Sequence, residues 1–123
     1  MQVYDGYPVR QGHSGRGWEL EDCRAVAKVH AATFEVPSLT ELSRMKIGDV
    51  VRLHFVITAP GVMADPRNPR AERMWVEVCK LHEDGRIWGH LTNEPAFIDS
   101  LDPGDVIEFE CRHVAQMPGK ERP

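Results

Sequence analysis

Apolar and polar residues alternate with a period of two in four segments, as expected for strands that bury one face. Two of these segments follow the turns Gly48-Asp49 and Gly104-Asp105, where glycine supplies a conformation that other residues resist. The third covers residues 72–78, and an Asp84-Gly85 turn connects it to the fourth, residues 87–91. The pattern therefore predicts an antiparallel sheet of four or five strands.

The alternation also predicts which side chains face the core. If the Asp84-Gly85 turn has two or four residues, the core side carries Met74, Val76, Val78, Ile87, Gly89 and Leu91. The opposite side then carries Trp75, Glu77, Cys79, Trp88, His90 and Thr92. A three-residue turn would break this pairing. On the strand after Gly48-Asp49, the core side holds Val51, Leu53, Phe55 and Ile57, and the other side holds Arg52, His54 and Val56.

A helical period replaces the alternation between Trp18 and Met45. One stripe predicts a helix of about four turns, formed by Cys23, Val26, Ala27, His30, Ala31 and Phe34. Ser38 and Glu41 have the spacing of a capping box, so a second, shorter helix is expected there. Leu39, Leu42 and Met45 would line one face of that helix.

Three segments lack either period. Residues 1–17 contain four glycines, and we expect this segment and the tail 117–123 to be flexible around a single domain of residues 18–116. Residues 59–71 contain three prolines and exceed an ordinary hairpin connection, so this loop is expected to be the most mobile internal segment. It could project Val62 and Met63 toward a partner, including a second copy of the chain.

Composition narrows the class of protein. The 123 residues are 41% hydrophobic and 28% charged, which suits one soluble domain, and the net charge of −4 disfavours a nucleic-acid partner. No apolar run approaches the roughly 20 residues of a membrane span, and the N-terminus has no secretory pattern. The three cysteines are odd in number and widely spaced, so reduced thiols in a cytoplasmic protein are expected.

These patterns together predict an α+β fold. An N-terminal helix and a short helix would pack on a strongly bent antiparallel sheet that resembles a small SH3-like barrel.

Several segments resemble landmarks of one bacterial family, the domain of unknown function numbered 2314. They are Ile47-Gly48-Asp49, Glu72-Arg73-Met74-Trp75-Val76, Leu91-Thr92-Asn93-Glu94-Pro95, the segment 101–109 and Arg112-His113-Val114. The resemblance covers roughly residues 23–116. It supports the fold and implies no activity, cofactor or catalytic residue. Family members usually have a shorter connection before the Met-Trp-Val strand, so the loop 59–71 is a departure of this chain.

The non-core face of the sheet is the best candidate surface. It would combine Trp75, Glu77, Trp88 and His90 with Arg52 and His54, and tryptophan offers a flat apolar surface with one donor. The favoured alternative is that a helix or the N-terminal segment covers this face, which would make both tryptophan rings part of the core. A basic rim on the loop side could be formed by Arg67, Arg70 and Arg73 with Arg44, Lys46 and Arg52, although a solvated loop is the favoured interpretation.

These residues allow three functions. We expect a non-enzymatic module that binds a protein or peptide through the aromatic face or the loop 59–71. Single-stranded nucleic acid stacked on the same rings is the alternative, and the acidic balance weighs against it. The third is an enzyme with an unrecognised site, although the chain has no nucleophile elbow or phosphate-binding loop.

No metal or other cofactor is expected. Cys79, His54 and His90 could approach one another in the sheet, but their spacing matches no zinc signature. We therefore expect structural roles for these three side chains, and no catalytic residue is assigned.

Overall fold

The computed structural model of the protein describes residues 2–118. Within them the chain forms eight strands and three short α-helices. The strands are β1 (Val3–Tyr4), β2 (Tyr7–Arg10), β3 (Trp18–Leu20), β4 (Val50–Ile57), β5 (Ala71–Leu81), β6 (Ile87–Leu91), β7 (Val106–Phe109) and β8 (Val114–Gln116). The helices are α1 (Cys23–Val29), α2 (Leu39–Ser43) and α3 (Pro60–Met63), and 3-10 turns lie at Ser14–Arg16 and Cys111–His113. Most of the predicted tail, residues 119–123, lies outside the described residues.

The strands form one open sheet in the order β1-β2-β7-β6-β5-β4-β3, and β8 pairs with β4 off this path. All pairs are antiparallel except β2 with β7. The predicted combination of helices with a mostly antiparallel sheet is confirmed. The SH3-like barrel is not confirmed, because β1 and β3 end the sheet without pairing to each other in the part of the chain that the structure describes.

The four strands read from the alternation are β4 to β7, and they form the centre of the sheet. Their predicted core side is correct for β4 and β5, where Val51, Leu53, Phe55, Met74 and Val76 are buried in the main core. Burying each of these large side chains contributes about 1.5–3 kcal/mol. The core is therefore built mainly by the alternation of the central strands.

The hairpin between β5 and β6 departs from the prediction. The His82 N–H donates to the Arg86 carbonyl at 2.9 Å, which closes a turn of residues 83–85. Such a three-residue turn shifts the pairing by one residue, so Lys80 lies opposite Trp88. A register shift at Cys79 then restores the expected pairing, and Val78 lies opposite Gly89. The predicted faces are correct because the three-residue turn and the register shift at Cys79 each move the pairing by one residue and so compensate for each other.

Helix α1 is much shorter than the predicted four turns. It begins at Cys23, where the Asp22 carboxylate accepts the Ala25 N–H at 3.0 Å, and its seven residues make about two turns. The residues before it form β3, which pairs with β4, and the Trp18 ring packs on Phe55 with centroids 5.3 Å apart. Pairing with the sheet overrides the helical period in this segment.

The predicted capping box of α2 is confirmed. The Ser38 hydroxyl accepts the Glu41 N–H at 3.1 Å, and the Glu41 carboxylate accepts the Ser38 N–H at 3.0 Å. Leu42 and Met45 are buried as expected, but Leu39 is 67% exposed and does not share their face.

The N-terminal segment has regular structure that the sequence did not predict. Strand β2 runs parallel to β7 with Val9 opposite Val106, and β1 pairs with β2. Val9 is buried in a second small core with Trp88 and Val106. These strands add regular structure within the segment 1–17, whereas its flexibility and the division into domain and tails stay predictions.

Candidate functional site

The N-terminal strands cover half of the predicted aromatic face. Trp88 is only 3% exposed, and the Tyr4 ring meets it edge-on with centroids 5.5 Å apart. Its indole N–H donates to the Glu108 carboxylate at 3.0 Å. Trp88 is therefore a core residue covered by the N-terminal segment, as the alternative interpretation of this face expected, and it does not form an exposed platform with Trp75.

His90 belongs to the same covered half. Its ring lies 5.1 Å from the Tyr7 ring between centroids, and its Nδ1 is 2.8 Å from the Gly104 carbonyl oxygen. Glu77 lies opposite His90 on β5 and is exposed. These contacts give His90 structural partners, whereas the Glu77 side chain on the neighbouring strand is exposed.

The other half of the outer face remains open and forms a groove. Neighbouring strands bring Arg52 opposite Trp75 and His54 opposite Arg73. Two adjoining cavities of about 290 and 280 Å³ share Arg52, Glu35 and Ala115. We call this region the Arg52 groove. Its walls are Thr33, Phe34, Glu35, Val36, Pro37, Glu41, Arg52, His54, Arg73, Ala115, Gln116 and Met117.

Arg52 is held in this groove by an aromatic contact. Its guanidinium carbon lies 5.6 Å from the centroid of the Trp75 ring, a cation–π distance. The backbone of Trp75 is fixed in turn, because its N–H donates to the Asn93 side chain at 2.6 Å. The Arg52 Nε atom is buried and has no hydrogen-bond partner among residues 2–118. A buried donor without an acceptor costs free energy that a ligand oxygen would recover.

His54 is the second polar group with an unused atom. It is 5% exposed, and its Nδ1 lies 3.2 Å from the Glu21 carboxylate. Burial lowers the pKa of His54, the Glu21 contact opposes this, and the Arg73 and Arg52 charges lower it further. A neutral ring donates Nδ1–H to Glu21, so Nε2 keeps a lone pair, and this atom has no partner in the described chain.

The loop 59–71 lies apart from this groove. Its first residues form α3, and of the two apolar side chains expected to project outward, Met63 is 51% exposed whereas Val62 is partly buried against the main core. A contact of these two residues with a partner stays a prediction. Arg67 pairs with Asp65 of the same loop at 2.9 Å, and Arg70 is exposed. The mobility of the loop and homodimerisation through it stay predictions as well.

Some residues of the groove were not predicted as part of this surface. Arg73 was expected only in a basic rim with the loop arginines, although it lies two residues before Trp75 on the same side of β5. Phe34 meets the His54 ring edge-on with centroids 5.8 Å apart, but it reaches the sheet through an irregular linker. No local period marks Phe34 or Glu35 as neighbours of β4.

The metal-ligating side chains that lie close together are not the three that the sequence suggested for zinc. In the described part of the chain, Cys79, His54 and His90 form no cluster, whereas Glu21, Cys23 and His54 place one ligand atom each within 4.8 Å of one another. Cys23 is a buried free thiol, and burial raises its pKa to about 12. Among residues 2–118, no helix is long and apolar enough to cross a membrane.

The molecule thus combines short helices with a mostly antiparallel sheet, and its groove is lined by arginine, glutamate and aromatic side chains. The chain belongs to a family described as uncharacterized proteins conserved in bacteria, the domain of unknown function 2314, whose model matches residues 24–117. The resemblance noted from the sequence is confirmed. No curated protein and no solved structure matches the chain. Strands β1 to β3 precede the matched region.

Proposed function

We propose that the protein is a non-enzymatic binding module whose Arg52 groove takes an extended segment of a partner protein or peptide that carries a carboxylate. The observation behind this proposal is the buried, unpartnered Nε–H of Arg52 beneath a groove that the N-terminal strands leave open.

The charge and geometry of the groove favour a carboxylate. A guanidinium presents two parallel N–H groups that match the two oxygens of a carboxylate, and such charge-assisted bonds are among the strongest. The Trp75 ring restrains the Arg52 side chain before a ligand arrives, which reduces the entropy lost on binding. Arg73 adds a second positive charge to the wall of the groove.

The remaining polar atom favours a peptide over a free acid. Because the neutral His54 ring offers a lone pair at Nε2, it suits a backbone N–H donor. Glu35 and Glu41 line the groove as well and repel a second negative charge nearby. A peptide with isolated carboxylates therefore fits these walls better than a nucleic acid, which carries a phosphate at every nucleotide.

Binding of short peptide pools would test the proposal. Each fluorescein-labelled pool would be randomised except for a central Glu or, in the matched pool, Gln. We expect the Glu pool to bind about tenfold more tightly, the equivalent of about 1.4 kcal/mol for a charge-assisted bond. Fluorescence anisotropy measures this difference.

Two variants test whether the preference for the Glu pool depends on the Arg52 groove. The Arg52→Gln variant should lose the preference for Glu, whereas Arg70→Gln, which removes an exposed arginine outside the groove, should keep it. Equal binding of the two pools by the wild type would contradict the proposal. Tighter, Arg52-dependent binding of an oligothymidylate would refute it in favour of the nucleic-acid alternative.

A further inference from the structure

A second site lies behind the groove, where Glu21, Cys23 and His54 converge. Glu21 and Cys23 flank Asp22, the N-cap of α1, and His54 comes from the middle of β4. The Glu21 N–H donates to the His54 carbonyl at 3.0 Å, which ties the two segments together. One thiol, one imidazole nitrogen and one carboxylate thus lie within 4.8 Å of one another.

We propose that these three side chains form a Zn²⁺ site, with Cys23 Sγ, the His54 ring and the Glu21 carboxylate as protein ligands and a water molecule as the fourth.

The separations suit a tetrahedral ion. Nitrogen and oxygen ligands about 2.0–2.1 Å from zinc lie about 3.3 Å apart, and the His54 Nδ1 to Glu21 Oε1 distance is 3.2 Å. All three ligand atoms lie within 4.8 Å of one another, so small side-chain rotations would bring them to the edges of a tetrahedron. The Glu21 side chain, which is 32% exposed, leaves a solvent path for the ion and its water.

The ligand types select zinc over harder cations. Thiolate and imidazole favour zinc, whereas Mg²⁺ and Ca²⁺ prefer an all-oxygen set. The Cys23 thiolate and the Glu21 carboxylate together balance the charge of a divalent ion. His54 would ligate the ion through the neutral form of its imidazole ring.

Metal binding changes bonds around the site in a defined way. Cys23 releases its thiol proton to solvent and loses weak contacts with the carbonyl oxygens of His113 at 3.4 Å and Glu21 at 3.7 Å. The Nδ1–H bond from His54 to Glu21 is replaced by coordination, so the ring proton moves to Nε2. The groove then gains a donor where it had an acceptor. This last consequence rests on the proposed peptide function, but the metal site does not.

Cobalt spectroscopy of the full chain tests the site without any peptide. We expect reduced, metal-free protein to bind one equivalent of Co²⁺, with a thiolate-to-metal charge-transfer band and the visible bands of a four-coordinate ion. Zn²⁺ should displace it. Cys23→Ser should lose the charge-transfer band, and Cys111→Ser, which removes a partly buried thiol outside the cluster, should keep it.

Glu21→Gln provides a variant that leaves the buried thiol in place. It should fold, as circular dichroism can verify, and bind Co²⁺ at least about tenfold more weakly. Absence of the charge-transfer band in the wild type would overturn the site. So would its persistence in Cys23→Ser, its loss in Cys111→Ser, or unchanged affinity in Glu21→Gln.

Discussion

Replacing Gly89 with alanine should destabilise the protein through the contact between β5 and β6. Gly89 is buried on the core side of β6, opposite Val78. A Cβ atom placed there would lie 3.0 Å from Val76 Cγ2 and 3.1 Å from the Glu77 carbonyl oxygen. Val76 is fully buried and the Glu77 oxygen belongs to the backbone of a central strand, so neither can yield cheaply.

The expected size follows from two opposing terms. Forcing one extra carbon into a packed core costs about 1–3 kcal/mol, and loss of glycine flexibility in the unfolded chain returns about 0.4–1 kcal/mol. We therefore expect a net loss of about 1–2 kcal/mol, or a fall in Tm of several degrees. Urea and thermal denaturation followed by circular dichroism measure both quantities.

A control substitution at another glycine and a double variant show whether the loss of stability comes from the close packing at Gly89. Gly61→Ala should be neutral or stabilising, since a Cβ at Gly61 meets nothing within 4 Å and lies in the short helix α3. Val76→Ala removes the atom nearest to the new methyl group, so Gly89→Ala should cost less in that background. If Gly89→Ala raises stability, or if its cost is the same in the Val76→Ala background, the close-packing argument is wrong.

Three further predictions follow from other contacts. Burial raises the pKa of Cys79 and Cys111, so iodoacetamide at pH 8 should alkylate both more slowly than free cysteine, as mass spectrometry can follow. Ser38→Ala should cost about 1 kcal/mol by removing one arm of the capping box, whereas Ser38→Thr should cost much less; equal losses in urea denaturation would contradict this. Replacing residues 60–70 with a four-residue turn should retain a single cooperative unfolding transition in calorimetry, with about 1 kcal/mol lost with the Val62 contacts; an unfolded product would show that the loop is integral to the core.

The sequence determined the features that depend on neighbouring residues. The alternation located β4 to β7 and the core side of β4 and β5, because side chains of a strand alternate between faces regardless of what covers them. The Gly-Asp turns are similarly local, and Gly48 and Gly104 take φ values of +97° and +93°. The capping box of α2 was readable because both of its bonds span three residues.

The tertiary structure alone decided how the outer face is used. A parallel pairing of β2 with β7 brings Tyr4 and Val9 onto Trp88, and no local pattern encodes a contact between segments about eighty residues apart in the chain. The same strands stop short of Arg52 and leave its groove open.

The candidate sites show the same division. Arg52, His54 and Trp75 were correctly placed on one face by the period of two. Glu21 and Cys23 reach His54 only because β3 replaces the first turns of the predicted helix and starts α1 beside β4. Local propensity favoured a helix there, and burial of Trp18 against Phe55 outweighed it, since packing of large apolar side chains exceeds the small differences in helix propensity.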